Sequence, residues 1–294
     1  GRISENGKDW AKPRSTAIQA YKFPPYDQLQ SSGRRNLDGG ADQQLSLFPS
    51  EKEQIQKIDE AENAGLPDCR LLVSLRREQD SESAVQVVDW VIKHPHHRLL
   101  GMSVDGNEAL SVDSNLRFAP ILQHAKDNGL HLTVHAGESS GPEGVRGALD
   151  VLHAERIDHG VRSVEDPELL QRLKDAHIAL NVCFSSNVIG GLYSPQTHPL
   201  GKLFSDGQLV TVSTDDPMLL DLPLLKELQI VTEQYGWGIN EVLQLQKNAV
   251  AAAFCTQEEK ETAGVFDDLI RISVGIEDIE DLKEDFKQAI ENNR

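Results

Sequence analysis

The sequence offers little to support a disulfide scaffold, a membrane span or a nucleotide-binding sheet. It holds three cysteines, Cys69, Cys183 and Cys255. An odd, sparse set without CxxC spacing makes neither a disulfide framework nor a zinc ribbon, and it suits a reducing, cytoplasmic setting. No apolar run approaches the roughly 20 residues that a membrane-spanning helix needs. The opening Gly1-Arg2-Ile3-Ser4 is no signal peptide and carries no Met, which points to a fragment or a processed form. Positive charge is also short: 29 Lys and Arg stand against 47 Asp and Glu, a net −18 with a pI near 4.9. So acidic a chain argues against nucleic acid and against anionic membranes as partners. A small neutral molecule, which feels only its local site, remains open as a partner.

What is present is a core-forming chain with one unusual end. Hydrophobic residues make up 38%, enough for a sizeable core but below the globular average of about 45–50%. Residues 1–49 lack a sustained apolar period and carry Gln30-Ser31-Ser32-Gly33-Arg34-Arg35 and Gly39-Gly40, which reads as a poorly structured segment. Residues 50–294 read as one domain. Ser50, with Glu51 and Glu53 in the first turn, starts a helix to about Asn63, and Gly65 ends it. Strand-length apolar runs follow at 70–75, 99–104, 131–135, 155–158, 178–182 and 208–213. Amphipathic helices are expected near 82–93, 115–128, 143–153, 166–175 and 199–205, then near 223–235, 239–254, 257–263 and 277–291. Steady strand–helix alternation means α/β with a parallel sheet, either a closed (β/α) barrel or an open doubly wound sheet. No Gly-rich fingerprint follows any strand, which disfavours dinucleotide binding. In a barrel, chemistry sits at the carboxyl ends of the strands.

Three of those ends carry chemistry. The run 131–135 leads into His135-Ala136-Gly137-Glu138, where neutral imidazole suits zinc, Gly137 allows a sharp turn, and Glu138 can move a proton. The alternative is a His that finishes a strand and a Glu that caps the next helix. The next strand ends in Ile157-Asp158-His159-Gly160, a second strand-tip His 24 positions on; a backbone-satisfied buried His is the bland reading. The last strand ends in Ser213-Thr214-Asp215-Asp216-Pro217. Adjacent carboxylates raise each other's pKa unless a cation compensates; alternatively Asp216 caps a helix that Pro217 begins. Asp105-Gly106-Asn107-Glu108 follows the strand at 99–104, and a Gly there allows backbone to approach a flat ligand. His, His and Asp at three strand ends, with Glu138 beside them, suggest metal-assisted hydrolysis.

His135-Ala136-Gly137-Glu138, Arg156-Ile157-Asp158-His159-Gly160 and Ser213-Thr214-Asp215-Asp216-Pro217 together resemble the adenosine deaminase family of the amidohydrolase superfamily. Asn181-Val182-Cys183-Phe184-Ser185-Ser186-Asn187 and His198-Pro199-Leu200 agree with it, and the likeness covers about 66–262. The resemblance implies a (β/α)8 TIM barrel and a zinc-dependent hydrolytic deamination of a 6-aminopurine, adenosine to inosine and ammonia. It implies His135 and Asp215 as zinc ligands, with His159 orienting and helping to deprotonate the attacking water. Glu138 would protonate the purine ring nitrogen, Asp216 would bind the imidazole edge of the purine and orient the nucleophile, and Gly106 would offer its backbone N–H. Gly106 and Glu108 resemble the adenosine branch in spacing, whereas Arg156 to Ser163 resembles adenine deaminases. A non-catalytic homologue that binds a purine or a protein is the alternative from a different class.

The departure lies at the front. The family places a His-x-His zinc pair on its first strand, and six strand runs correspond to the third to eighth of eight. His94-Pro95-His96 is a literal His-x-His, but it precedes a strand and so belongs to the opposite rim. Two ligands hold zinc less firmly than the three or more of an active zinc hydrolase. This chain is therefore expected to bind zinc weakly and to turn over poorly.

Overall fold

A computed structural model describes residues 70–256 and Glu258, all within one unit of the chain, Arg70–Arg294. The expected loose segment at 1–49 and the helices expected at 50–63 and 277–291 lie outside the described residues, as does nearly all of the one expected at 257–263.

Six parallel strands form one sheet in chain order: β1 (Leu71–Arg76), β2 (Leu99–Asp105), β3 (His131–Ala136), β4 (Arg156–His159), β5 (Ala179–Val182) and β6 (Val210–Val212). Each strand is bonded to the next, with Val104 beside Val134, Val134 beside Ile157, Ile157 beside Leu180 and Leu180 beside Val210. That row is fully buried. Its alternating partners are polar: Ser103 pairs with Thr133, Thr133 with Arg156, His135 with Asp158, Asp158 with Asn181, and Asn181 with Thr211. A period of two thus sorts each strand into an apolar face and a polar face. The polar face is laced by side-chain hydrogen bonds. Thr133 Oγ1 donates to Asp158 at 2.8 Å, Asn181 Nδ2 to Asp158 at 2.6 Å, and Thr211 Oγ1 to Asn181 Oδ1 at 2.8 Å. Gly101 lets β2 and β3 close up, since a Cβ there would lie 2.2 Å from the His131 carbonyl oxygen.

Helices alternate with the strands: α1 (Ser81–Lys93), α2 (Ser111–Asp127), α3 (Pro142–Asp150), α4 (Pro167–Asp175), α5 (Phe184–Ile189) and α6 (Leu200–Ser205). After β6 come α7 (Pro217–Leu220), α8 (Leu224–Tyr235) and α9 (Ile239–Ala252). Their starts are chemically marked. Asp80 accepts from the Ser83 N–H at 2.8 Å to cap α1, and Asp166 accepts from Leu169 N–H at 3.0 Å to cap α4, with Pro167 at its first position. Ala84, Val88, Phe118, Leu122, Leu169 and Leu173 form the buried side of these helices. Each such large side chain contributes roughly 1.5–3 kcal/mol of burial.

Several boundaries differ from the expectation, among them the end of α3 at Asp150 and the limits of β6. The helix expected from 115 begins at Ser111, because Asn107 caps a 3₁₀ turn, Glu108–Leu110, that runs straight into it. Helix α5 is not among the expected elements, and α7 is the helix from Pro217 that is the alternative reading of Asp216; at six and four residues both are too short to show an apolar period. Beneath the sheet, Phe254 stacks on His131 at 4.5 Å and lies under the Arg156 guanidinium at 4.1 Å. Arg156 also donates to the Ala252 carbonyl at 3.1 Å. The segment after α9 therefore closes the amino-terminal end of the polar face, and among the described residues the carboxyl ends of the strands border a cleft.

Candidate active site

At those carboxyl ends lies a cleft of about 350 Å³ lined by Asp105, His135, Asp158, His159, Cys183, Ser213, Thr214, Asp215 and others. His135 reaches it as the fifth residue of β3. His159 and Asp215 reach it from left-handed backbone, at φ 64° and 62°. The region tolerates His and Asp better than most L residues. Gly137 turns the chain after β3 at φ 71°, and a Cβ there would lie 2.5 Å from Val145 Cγ2. That turn brings Glu138 back over the strand end.

His135 Nε2 lies 3.1 Å from Glu138 Oε2 and 3.1 Å from Glu108 Oε1, and its ring centroid is 4.4 Å from that of His159. Burial opposes a charge on His135, yet these two carboxylates hold its pKa up to about 10. Glu108 is also buried, and its desolvation favours the neutral acid. Donation from His135 and Ser140 wins and brings it to about 2. Glu108 accepts the N–H of Glu138 at 3.1 Å and of Ser140 at 2.5 Å, so it holds the turn that carries Glu138. Arg77, fully buried, donates from Nη2 to the His135 carbonyl at 2.7 Å.

His159 sits between two acids, its Nδ1 3.4 Å from Glu138 and its Nε2 4.0 Å from Asp215. Burial and the neighbouring His135 charge depress its pKa, which favours neutral imidazole. Behind it runs an orienting chain. The Leu200 N–H donates to His198 Nδ1 at 3.2 Å, which leaves the proton on Nε2. That nitrogen donates to Asn187 Oδ1 at 3.1 Å, and Asn187 Nδ2 then donates to Glu138 Oε1 at 2.8 Å, 3.2 Å from His159 Nδ1. A backbone amide thereby fixes a tautomer, an amide orientation and one carboxylate oxygen in turn. Asp215 accepts from Ser186 Oγ at 2.6 Å.

Asp216 occupies the position before α7 but makes no side-chain cap bond. Burial and the charges of Asp215 and Asp105 raise its pKa, the discomfort expected of paired carboxylates. Gly106 follows β2 at φ 93° with Glu78 against it, 2.5 Å from where a Cβ would stand. His94 closes α1 and His96 lies in the loop entering β2, at the end of the sheet away from the cleft. The residues that sequence reasoning passed over are Arg77, Asn187 and His198, with Glu108 noted only for its spacing. Asn187 and His198 stood in matched segments without a role, and Arg77 gave no signal beyond being an arginine at a strand end.

The donors suit a divalent ion. His135, Glu138 and His159 each offer an atom within 4.8 Å of the others, and so do His159, Cys183 and Asp215. Imidazole, carboxylate and thiolate are zinc's usual protein ligands.

Known proteins resemble this chain in sequence and fold. The family model described as adenosine deaminase matches residues 50–270. An adenine deaminase from Rhizobium leguminosarum bv. trifolii is 34% identical over 200 residues, 68% of this chain and 61% of that protein. The chain thus spans about three fifths of the length of the curated relatives it matches. The crystal structure of an adenine deaminase from Arthrobacter aurescens superposes with a TM-score of 0.65 at 28% identity, covering 71% of this chain and 63% of the other. A Burkholderia ambifaria amidohydrolase with bound Zn gives 0.67 at 27%, covering 74% and 62%. The six strands are accordingly part of an amidohydrolase-type (β/α)8 barrel. With a family match through most of its length, carried by motifs that meet at one rim of that barrel, the chain belongs to the adenosine deaminase family.

Proposed function

We propose that this cleft removes the amino group of a 6-aminopurine by hydrolysis. The observation that carries the reading is the meeting of His135, Glu138, His159 and Asp215 at one set of strand ends. His135 and Asp215 would hold a zinc ion, which supplies the acidity that makes water nucleophilic near neutral pH. His159, kept neutral by burial, takes up a proton from the attacking water. Glu138 faces two histidines and gives a proton to the ring nitrogen. Burial pushes its pKa up, and the hydrogen bond from His135 with the charges of His159 and His135 brings it below the usual carboxylate value. Asp216 binds the imidazole edge of the purine and Gly106 offers its N–H from the end of β2. The spacing of Gly106 and Glu108 favours adenosine, whereas relatives named adenine deaminase favour the free base; the site takes the base preferentially.

The test is ammonia release from adenine and adenosine by the zinc-supplemented chain, with a full-length relative assayed alongside. Turnover far below the relative is expected, because no His-x-His pair faces the cleft among the described residues. Glu138→Gln should lower it by about 100-fold or more, the scale of a lost general acid. Activity indifferent to that change, or no release from any aminopurine, would overturn the proposal.

A further inference from the structure

Glu227 lies in the first turn of α8 and is fully buried. It is not among the residues that line the cleft. Its carboxyl group faces the start of α5 instead. Oε1 accepts the Ser185 N–H at 2.9 Å, Oε2 accepts from Ser185 Oγ, and the Phe184 N–H is a further donor. Helix α5 has no cap of its own, since Cys183, the residue before it, makes no side-chain cap bond. The first amides of a helix need acceptors from outside it. Glu227 supplies from another helix what a helix usually takes from its own first residue. Among the described residues no lysine, arginine or histidine pairs with this acid, and burial pushes its pKa up against those donors.

What α5 carries gives the contact its consequence. The two residues after Ser185 are the ones that reach the cleft's acids: Ser186 Oγ donates to Asp215 at 2.6 Å and Asn187 Nδ2 to Glu138 at 2.8 Å. A helix of six residues is too short to hold itself, so its orientation is set by what it packs on. Helix α8 also grips the far end of the same relay. Tyr235 donates its hydroxyl to the His198 carbonyl at 3.0 Å, and the Phe184 ring stands edge-on to His198 and Tyr235 at 4.8 and 5.9 Å. We propose that Glu227 is a positioning residue, which fixes the first turn of α5 so that Ser186 and Asn187 present their donors to Asp215 and Glu138 together. The proposal rests on the reading of this cleft as a zinc-dependent deaminase site. One buried acid behind the cleft thereby sets two acids inside it.

The test uses the whole chain with Glu227→Met, which removes both acceptors at similar length, and Glu227→Gln, which keeps one. The first readout needs no metal: the NMR signals of the Asn187 side-chain amide, identified by their loss in Asn187→Asp. Glu227→Met should shift them and speed their exchange with solvent, and Glu227→Gln should do so less, both with the parent's circular dichroism. The second readout is zinc affinity in competition with a chelator. Ser186→Ala should weaken zinc about 10-fold or more, the scale of a lost partner to a ligand. Glu227→Met should weaken it severalfold, and that loss should vanish in the Ser186→Ala background, because the acid acts through Ser186. Asn187 signals that do not move overturn the proposal, and so does a zinc loss that persists in full in the double variant. A parent that binds no zinc overturns the metal reading, and the Asn187 signals then decide the role of Glu227. If Glu227→Met does not fold, the same two comparisons are read on Glu227→Gln.

Discussion

Arg77 has more buried N–H groups than acceptors. One nitrogen serves the His135 carbonyl, while Nε and Nη1 find no hydrogen-bond partner among the described residues, at a cost of about 1–3 kcal/mol for each unmet group. Against this, Glu108, Asp105 and Glu78 favour its charge, which burial opposes. Arg77→Met should relieve the first term and lose the second, leaving stability in urea within about 1 kcal/mol of the parent. The backbone of His135 would lose its anchor, so metal retention should fall severalfold under competition with a chelator. A loss of several kcal/mol of unfolding free energy in urea would mark the guanidinium as chiefly structural. His198 supplies a pH signature. Burial, aided by His159, pushes its pKa down to about 4, against about 6.5 unfolded. Between those values the unfolded chain binds the extra proton, so this contribution is complete above pH 6.5 and is lost as pH falls toward 4, by up to about 3 kcal/mol. His198→Gln should cost stability at pH 7.5, and the gap from the parent should narrow toward pH 4.5. A gap constant with pH would refute the assignment.

At the scale of elements, α9 guards the outer strand of the sheet. Asn248, 7% exposed, donates from Nδ2 to the Val210 carbonyl at 2.8 Å, meeting a polar group on β6. Asn248→Ala should cost about 1–3 kcal/mol and raise light scattering on mild heating, since a freed strand edge recruits other chains. Unchanged scattering would show that the edge is covered by other means. The strands were legible because each combines an apolar face with a hard stop. At β3 the stop is Ala136-Gly137 and at β4 it is Gly160, so their lengths came out within a residue or two. The carboxyl ends of those strands followed, and with them His135, His159 and Asp215. The supporting shell was not legible. Glu108 touches the chain at 138 and 140, and Asn187 works through an amide whose orientation is set at Leu200. No local pattern of polarity reports such contacts between distant segments. The roles of Asp216 and Gly106 rest on a ligand that neither side-chain geometry nor periodicity contains.

For the whole molecule, net charge acts against association through strand edges. A net −18 keeps copies apart while screening is weak. Among the described residues, β1 and β6 each pair with a strand on one side only. Raising ionic strength shortens the Debye length to about 8–10 Å at 0.1–0.15 M and should promote self-association, visible as faster sedimentation in high salt than in low salt. Identical profiles would mean that the edges do not attract. The order of the sheet has one more consequence. Ile157 pairs with Leu180, 23 residues on, and Val182 with Val212, 30 residues on, and every described strand meets the one that follows it in the chain. Among the described strands no pairing has to wait for a distant terminus. A ribosome releasing the chain from its amino end delivers each partner in turn, so structure can accrete in the order of synthesis. A nascent chain stalled far enough past α4 for that helix to have left the ribosome should already resist protease from β2 through β4, before Asp215 has been made.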